Sequence, residues 1–274
     1  MPSQKIAVAG VQIPQLEGSR DENLLNAKEA ISANPGNTLY VLPELSSSGY
    51  GVSTFRRLGD LAENLDGPSF EYFSTLAKKQ GCFICYSFPR RVGTGEFSIS
   101  TAVVNRAGDL VAHYDKWHVC STGDCCEKDY FIAGTGPLAA FEVDGIQVGL
   151  AICYDIRFPE VVRKLTLHKG ISLLLHPGGW PKDKGFYSWH KFVQVRAMEN
   201  SIYIMSTNWA GPNNGCTAFC PPFLDGEDYA LQKLGDEPGV LEGSVDLQEI
   251  KALRTEYPYL KDRNEKMYGD CEAC

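Results

Sequence analysis

Apolar and polar positions along the 274-residue chain switch repeatedly between a period of two and a helical period. Lys5 to Ile13 alternates apolar with small or polar residues, as a strand does, whereas Arg20 to Ala33 places Leu24, Leu25, Ala27 and Ile31 on one helical face. Ser19 and Asp21 are candidate caps for that helix, and Asn34-Pro35-Gly36 is its stop. Leu39 to Leu42 reads as a buried strand that runs through Pro43 and Glu44 into a serine-rich loop ending at Gly49-Tyr50. Ser69 to Gln80 reads as a helix, Cys82 to Pro89 as a buried strand, and Ser98 to Asn105 with Leu110 to Lys116 as a hairpin about Asn105 to Asp109. The apolar run Val148 to Ile152 leads straight into Cys153, and Phe158 to His168 is a helix with Pro159 in its first turn. A strand at Ser172 to Leu175, a helix at Ser188 to Glu199 and a strand at Ile202 to Ser206 follow. This alternation predicts an α/β protein. Gly211 to Asp228 and Lys261 to Cys274 lack periodic pattern, and no repeat or long linker interrupts the chain. One domain over 1–274 is expected, with a C-terminal tail, about residues 257–274, packing on the surface or on a partner subunit.

Composition narrows the function classes. With 43% hydrophobic and 22% charged residues there is apolar mass for one large core. A net charge of -8 and the absence of a Lys/Arg cluster beside an apolar run leave no footprint for nucleic acid or an anionic membrane. No segment approaches the roughly 20 apolar residues of a spanning helix. Met1 to Pro14 carries one basic residue and no cleavage pattern, so a cytoplasmic location is expected. Ten cysteines is a high count, but in a chain this large without an export signal reduced thiols are the expectation.

Three residues stand where strands end. Cys153 lies at a strand-to-helix turn, where unpaired backbone N–H groups and the helix dipole favour thiolate. Glu44 and Lys116 each close an apolar strand. Taken alone, a packed cysteine, a surface carboxylate and a solvated lysine are the commoner explanations for such residues. The surrounding words change that balance. Ala151-Ile152-Cys153-Tyr154-Asp155-Ile156-Arg157-Phe158-Pro159-Glu160 closely resembles the nucleophile segment of the nitrilase, or carbon-nitrogen hydrolase, superfamily. Leu42-Pro43-Glu44 resembles its glutamate segment, and Tyr114-Asp115-Lys116-Trp117-His118-Val119 its lysine segment, in the family's order. Glu127 with Phe131 and Gly134, Trp189 with Arg196-Ala197-Met198-Glu199-Asn200, Asp246-Leu247, and Pro258 with Asp262-Arg263 extend the resemblance over nearly the whole chain.

The resemblance implies a four-layer α-β-β-α sandwich, a homodimer, and an amidase that needs neither cofactor nor metal. Amide hydrolysis requires a nucleophile, an oxyanion stabiliser and a proton donor for the leaving amine. By resemblance Cys153 attacks, Glu44 serves as acid and base in turn, Lys116 and the N–H of Tyr154 hold the oxyanion, and Glu127 positions the set. The pKa of Glu44 is expected to be raised by Glu127 and opposed by Lys116. Tyr50, Tyr154 and Trp180 are candidates to line the substrate pocket, with core packing an equal competitor for each. The nucleophile segment looks more like amidase branches acting on small linear carboxamides than like true nitrilases; N-carbamoyl compounds are the second choice and nitriles a further one.

Several residues lie outside that reading. Arg157 is expected to pair with Asp155 or Glu160 as scaffold, although an equivalent arginine meets a substrate carboxylate in carbamoylase-like relatives. His118 and His176 sit in apolar stretches and read as satisfied structural histidines. Cys120, Cys125 and Cys126, and Gly215-Cys216-Thr217, depart from the family pattern and bear on selectivity or on sensitivity to oxidation. A rival class is a cysteine-rich metal- or redox-responsive binding protein using the pairs Cys82/Cys85, Cys125/Cys126 and Cys271/Cys274. Cys82 and Cys85 fall in an apparent strand, where their thiols point to opposite faces and suit a zinc knuckle poorly.

Overall fold

The computed structural model describes residues 5–121, 125–224 and 230–267. The first half runs β1 (Lys5–Gln12), α1 (Arg20–Ala33), β2 (Leu39–Val41), α2 (Val52–Phe55), α3 (Leu58–Leu61), α4 (Pro68–Gln80), β3 (Phe83–Gly93), β4 (Glu96–Val104) and β5 (Leu110–Asp115). The second runs β6 (Ala140–Val143), β7 (Ile146–Leu150), α5 (Pro159–Lys169), β8 (Leu173–Pro177), α6 (Phe186–Asn200), β9 (Tyr203–Thr207), β10 (Ala218–Cys220), β11 (Gln232–Lys233), β12 (Gly239–Asp246) and α7 (Leu247–Glu256).

These strands make two sheets, ordered β12-β1-β2-β3-β4-β5 and β11-β10-β9-β8-β7-β6. The centre of each is parallel, β1-β2-β3 in one and β7-β8-β9 in the other, and the flanking pairs are antiparallel. Every parallel connection carries helix, because parallel neighbours need a crossover. The period of two explains the layers. Ile6, Val8, Leu39, Val41, Cys85 and Val103 belong to a core that continues through the second sheet to α5 and α6. Their alternates Ala9, Val11, Tyr40, Ile84, Tyr86 and Ala102 pack with residues of α1 and α4. Helices, sheet, sheet and helices therefore stack as the four-layer sandwich. Between the sheets, a Cβ on Gly10 would lie 2.6 Å from the sulfur of Met205 and 2.9 Å from a methyl of Thr217.

Some local expectations change. Leu25 is exposed, and Asn23 turns inward instead, its side-chain amide exchanging hydrogen bonds of 3.0 and 2.7 Å with the backbone of Leu16. The Ser19 side chain makes no cap on α1. β3 runs four residues past Pro89 because a hairpin with β4 continues its pairing. The short helices α2 and α3, β6, β10 to β12 and α7 carry too little pattern to have been predicted. Cys82 and Cys85 are divided between the two cores, and Cys271/Cys274 lie outside the described residues. Among the described residues no helix is long and apolar enough to cross a membrane.

Candidate active site

Glu44, Lys116 and Cys153 follow the C-terminal ends of β2, β5 and β7, so both sheets contribute to one place. Each backbone is pinned there. The Glu44 N–H donates to the Gly178 carbonyl at 3.1 Å, and its own carbonyl accepts from the Trp209 indole at 3.0 Å. Lys116 N–H donates to Ile99 and its carbonyl accepts from Gly134. Gly134 is required there, since a Cβ would run into the Asp115 carbonyl. Cys153 adopts a left-handed φ of 44°. Its turn is held by the buried Asp155 carboxylate, which accepts from the N–H of Ile152 and the Tyr114 hydroxyl on one oxygen and from the N–H and ring of His118 on the other. Asp155, expected to pair with Arg157, holds this turn instead, and Tyr114, to which the sequence assigned no role, joins it; both fall inside the two resembling segments.

The helix expected over Phe158 to His168 is α5, Pro159–Lys169, and a single 3-10 turn, Cys153–Arg157, stands between it and the end of the strand. The thiol therefore lacks the helix terminus invoked to favour thiolate. Burial pushes its pKa well up, the Glu44 charge adds to this, and Lys116 opposes. These surroundings disfavour the thiolate that the turn was expected to favour.

Lys116 Nζ lies 2.7 Å from Glu44 Oε1 and 2.7 and 2.9 Å from the two oxygens of Glu127, with all three side chains fully buried. Glu127 is also held by the Tyr50 hydroxyl at 2.6 Å and the Cys120 N–H at 2.7 Å. Burial works against the charge on Lys116, but the Glu127 and Glu44 carboxylates hold its pKa well above the ordinary value. Burial raises Glu44 to about 7, Lys116 pulls it down, and Glu127 pushes it up. Glu44 Oε2 has no hydrogen-bond partner among the described residues. The cluster can therefore accept a proton on one free, weakly basic oxygen beside a thiol while a fixed cation stands next to it.

The cluster opens on a cavity of about 320 Å³ to which Cys153, Tyr50, Tyr154 and Trp180 all contribute. Tyr50 packs edge-on against Phe55, and Trp180 stacks on Trp189 with ring centroids 5.6 Å apart. Cys120, Cys125 and Cys126 form part of the same wall, and Cys125 Sγ lies 3.1 Å from the Tyr50 hydroxyl. Cys216 lies in a neighbouring surface groove instead. Arg157 corrects its expectation. Asp155 is committed to His118 and Tyr114, and among the described residues Arg157 makes no ion pair. It enters the cavity wall, its guanidinium 5.2 Å from the Trp180 ring centroid and 5.9 Å from that of Tyr154, and donates to Ser188 Oγ at 3.2 Å. His118 stacks on Phe158 and His176 is fully buried.

The family model for carbon-nitrogen hydrolases matches residues 7–255. The chain belongs to the carbon-nitrogen hydrolase family. A hydrolase from the pqqF 5' region of Pseudomonas protegens is 32% identical, covering 89% of this chain and 82% of that one. The 2-oxoglutaramate amidase of Bacillus subtilis is 28% identical, covering 96% and 100%. Among solved structures, a variant of the amidase from Nesterenkonia sp. AN1, which shows covalent addition of the acetamide moiety of fluoroacetamide at its active-site cysteine, superposes with a TM-score of 0.79 at 26% identity over 98% and 97% of the two chains. As a carbon-nitrogen hydrolase the chain is a hydrolase of C–N bonds with amidases among its relatives.

Proposed function

We propose that the chain hydrolyses a small linear amide to a carboxylic acid and ammonia through a thioester on Cys153, and that its preferred substrates carry a carboxylate at the far end. The observation that carries the reading is the buried Glu44, Lys116 and Glu127 cluster against Cys153 at a cavity. Glu44 takes the thiol proton as the sulfur attacks the carbonyl carbon. Lys116 and the Tyr154 N–H receive the oxyanion. Glu44 then returns the proton to the leaving nitrogen as the C–N bond breaks, and afterwards takes a proton from the water that attacks the thioester. Collapse of that second tetrahedral adduct expels the thiolate, which is reprotonated by Glu44. Glu127 and Tyr50 keep Lys116 in place throughout.

The substrate preference rests on Arg157, a cation in the cavity wall without an ion-pair partner among the described residues, and it is supported by a relative named for 2-oxoglutaramate, itself a half-amide with a free carboxylate. Tyr154 and Trp180 would flank the linear chain between the two ends. We further propose a homodimer through the α5 and α6 face, where Leu167, Tyr187 and Val195 are exposed. Ammonia release from succinamate, butyramide, ureido acids and aliphatic nitriles tests the activity. Succinamate should be turned over best, Cys153→Ala should be inactive, and a slowly deacylating substrate should leave an acyl mass on Cys153. Undiminished release by Cys153→Ala would overturn the mechanism.

A further inference from the structure

A line of hydrogen bonds running from α6 through β9 and β8 ends on the main chain of Cys153 itself. His176, in β8 and fully buried, places Nε2 2.9 Å from the Cys153 carbonyl oxygen and Nδ1 2.7 Å from Ser206 Oγ in β9. Ser206 Oγ in turn lies 2.9 Å from the indole nitrogen of Trp189 in α6. The direction of every bond follows from the atoms. A carbonyl only accepts, so Nε2 carries the hydrogen. Burial lowers the His176 pKa to about 4, so the ring is neutral and Nδ1 is bare. Ser206 must therefore donate to Nδ1, and it accepts from Trp189, whose indole only donates.

The receiving peptide unit is the one that matters to the reaction. It joins Cys153 to Tyr154, so its carbonyl accepts from His176 while its N–H, on Tyr154, is the group assigned above to the oxyanion. No peptide bond among the described residues is cis. In a trans unit the C=O and N–H point in opposite directions, so holding the carbonyl toward β8 aims the N–H the other way. A donor on the carbonyl also polarises the N–H across the same unit and strengthens it as a donor. The need for an anchor is visible in the backbone, because the φ of 44° at Cys153 is costly for a residue with a side chain and persists only when its surroundings hold it. Asp155 holds the N–H of the preceding residue, Ile152, at 3.0 Å, and His176 holds the carbonyl of Cys153.

We propose that His176 is a positioning residue of the oxyanion site, acting through the Cys153 carbonyl to orient and polarise the Tyr154 N–H, with Ser206 and Trp189 fixing its tautomer. This rests on the amidase reading above. A buried histidine that only satisfies its own nitrogens would affect stability without touching the oxyanion, and the following comparison separates the two roles.

The experiment compares His176→Gln, whose amide keeps an N–H near the Nε2 position, with His176→Leu, which has no donor, and Ser206→Ala, which loosens the tautomer. Two probes are used: succinamate hydrolysis, and the affinity of succinic semialdehyde, measured as protection of Cys153 from iodoacetamide. The thiol adds to the aldehyde carbon with its proton passing to the new oxygen, and that tetrahedral oxygen occupies the oxyanion position. His176→Leu is expected to lose about 10- to 100-fold in kcat with KM within about 2-fold, less than the roughly 100- to 1,000-fold that outright removal of an oxyanion donor costs, because the Tyr154 N–H stays and is only misaimed. Its semialdehyde affinity should fall by a matching factor. His176→Gln should recover most of both, and Ser206→Ala should fall between.

Unchanged kcat and semialdehyde affinity in folded His176→Leu, or a kcat loss with unchanged affinity, would overturn the proposal. So would a folded Gln variant no better than Leu. Circular dichroism and Tm establish folding; if the Leu variant does not fold, wild-type behaviour of folded Ser206→Ala on both probes overturns it. Failure of the wild-type protein to release ammonia from any amide would sink the amidase reading by itself, and the ranking of the variants by semialdehyde protection would still decide the role of His176.

Discussion

At the scale of residues, the proposed mechanism lets one carboxyl set the working pH. In that mechanism Glu44 must be ionised to take the Cys153 proton, and its pKa is raised to about 7. Lys116 is held well above the ordinary lysine value and the Cys153 thiol well above the ordinary thiol value, so neither changes charge near neutrality. The sign is therefore fixed: kcat/KM for succinamate should rise as pH increases through about 7 and then level, with no fall until the alkaline range. A pH profile that is flat between 5.5 and 8.5 would remove Glu44 as the base. Arg157 makes a second prediction. Arg157→Met should raise KM for succinamate by about 10- to 100-fold, the value of a charge-assisted hydrogen bond of about 1.5–3 kcal/mol, and leave butyramide unaffected. Along the chain Arg157 stands between Asp155 and Glu160 and looks paired; the fold turns Asp155 inward to His118 and Tyr114, which frees the guanidinium for the cavity.

At the scale of elements, the site depends on where strands end. Glu44, Lys116 and Cys153 were legible as strand ends because each follows an apolar run of the right length, and β2, β5 and β7 stop one to three residues before them. The turn after β7 was less legible. Its 3-10 geometry depends on Asp155 collecting donors from Tyr114 and His118, about 40 residues away in sequence, a contact that no local pattern encodes. Asp155→Ala should leave those donors and the Ile152 N–H without an acceptor. The expected loss is about 3 kcal/mol of stability, read as a lower Tm and denaturation midpoint, together with most activity. At the sheet interface, Gly10→Val would force atoms against Met205 and Thr217 and should cost about 1–3 kcal/mol in chemical denaturation, with kcat of the remaining folded protein little changed.

At the scale of the whole molecule, the second sheet covers one face of β1 and β2 and helices α1 and α4 the other, and the cavity forms where strand ends of both sheets meet. The exposed Leu167, Tyr187 and Val195 on α5 and α6 predict association through that face. Light scattering at micromolar concentration should give twice the 30.2 kDa chain mass, and Leu167→Glu with Val195→Glu should give the monomer; a wild-type monomer would count against the dimer. By itself the sequence determined the α/β class, the order and approximate bounds of the longer elements, and the identity of Glu44, Lys116 and Cys153 as a set, because periodicity and ordered motifs are local properties of the chain. The tertiary structure decided what locality cannot express. Burial raised the pKa of both Cys153 and Glu44, the commitment of Asp155 released Arg157 into the cavity, and the pairing of β8 beside β7, with β9 beyond it, set His176 on the carbonyl of Cys153. Each of these depends on desolvation or on partners distant along the chain, which exist only once the sheets have come together.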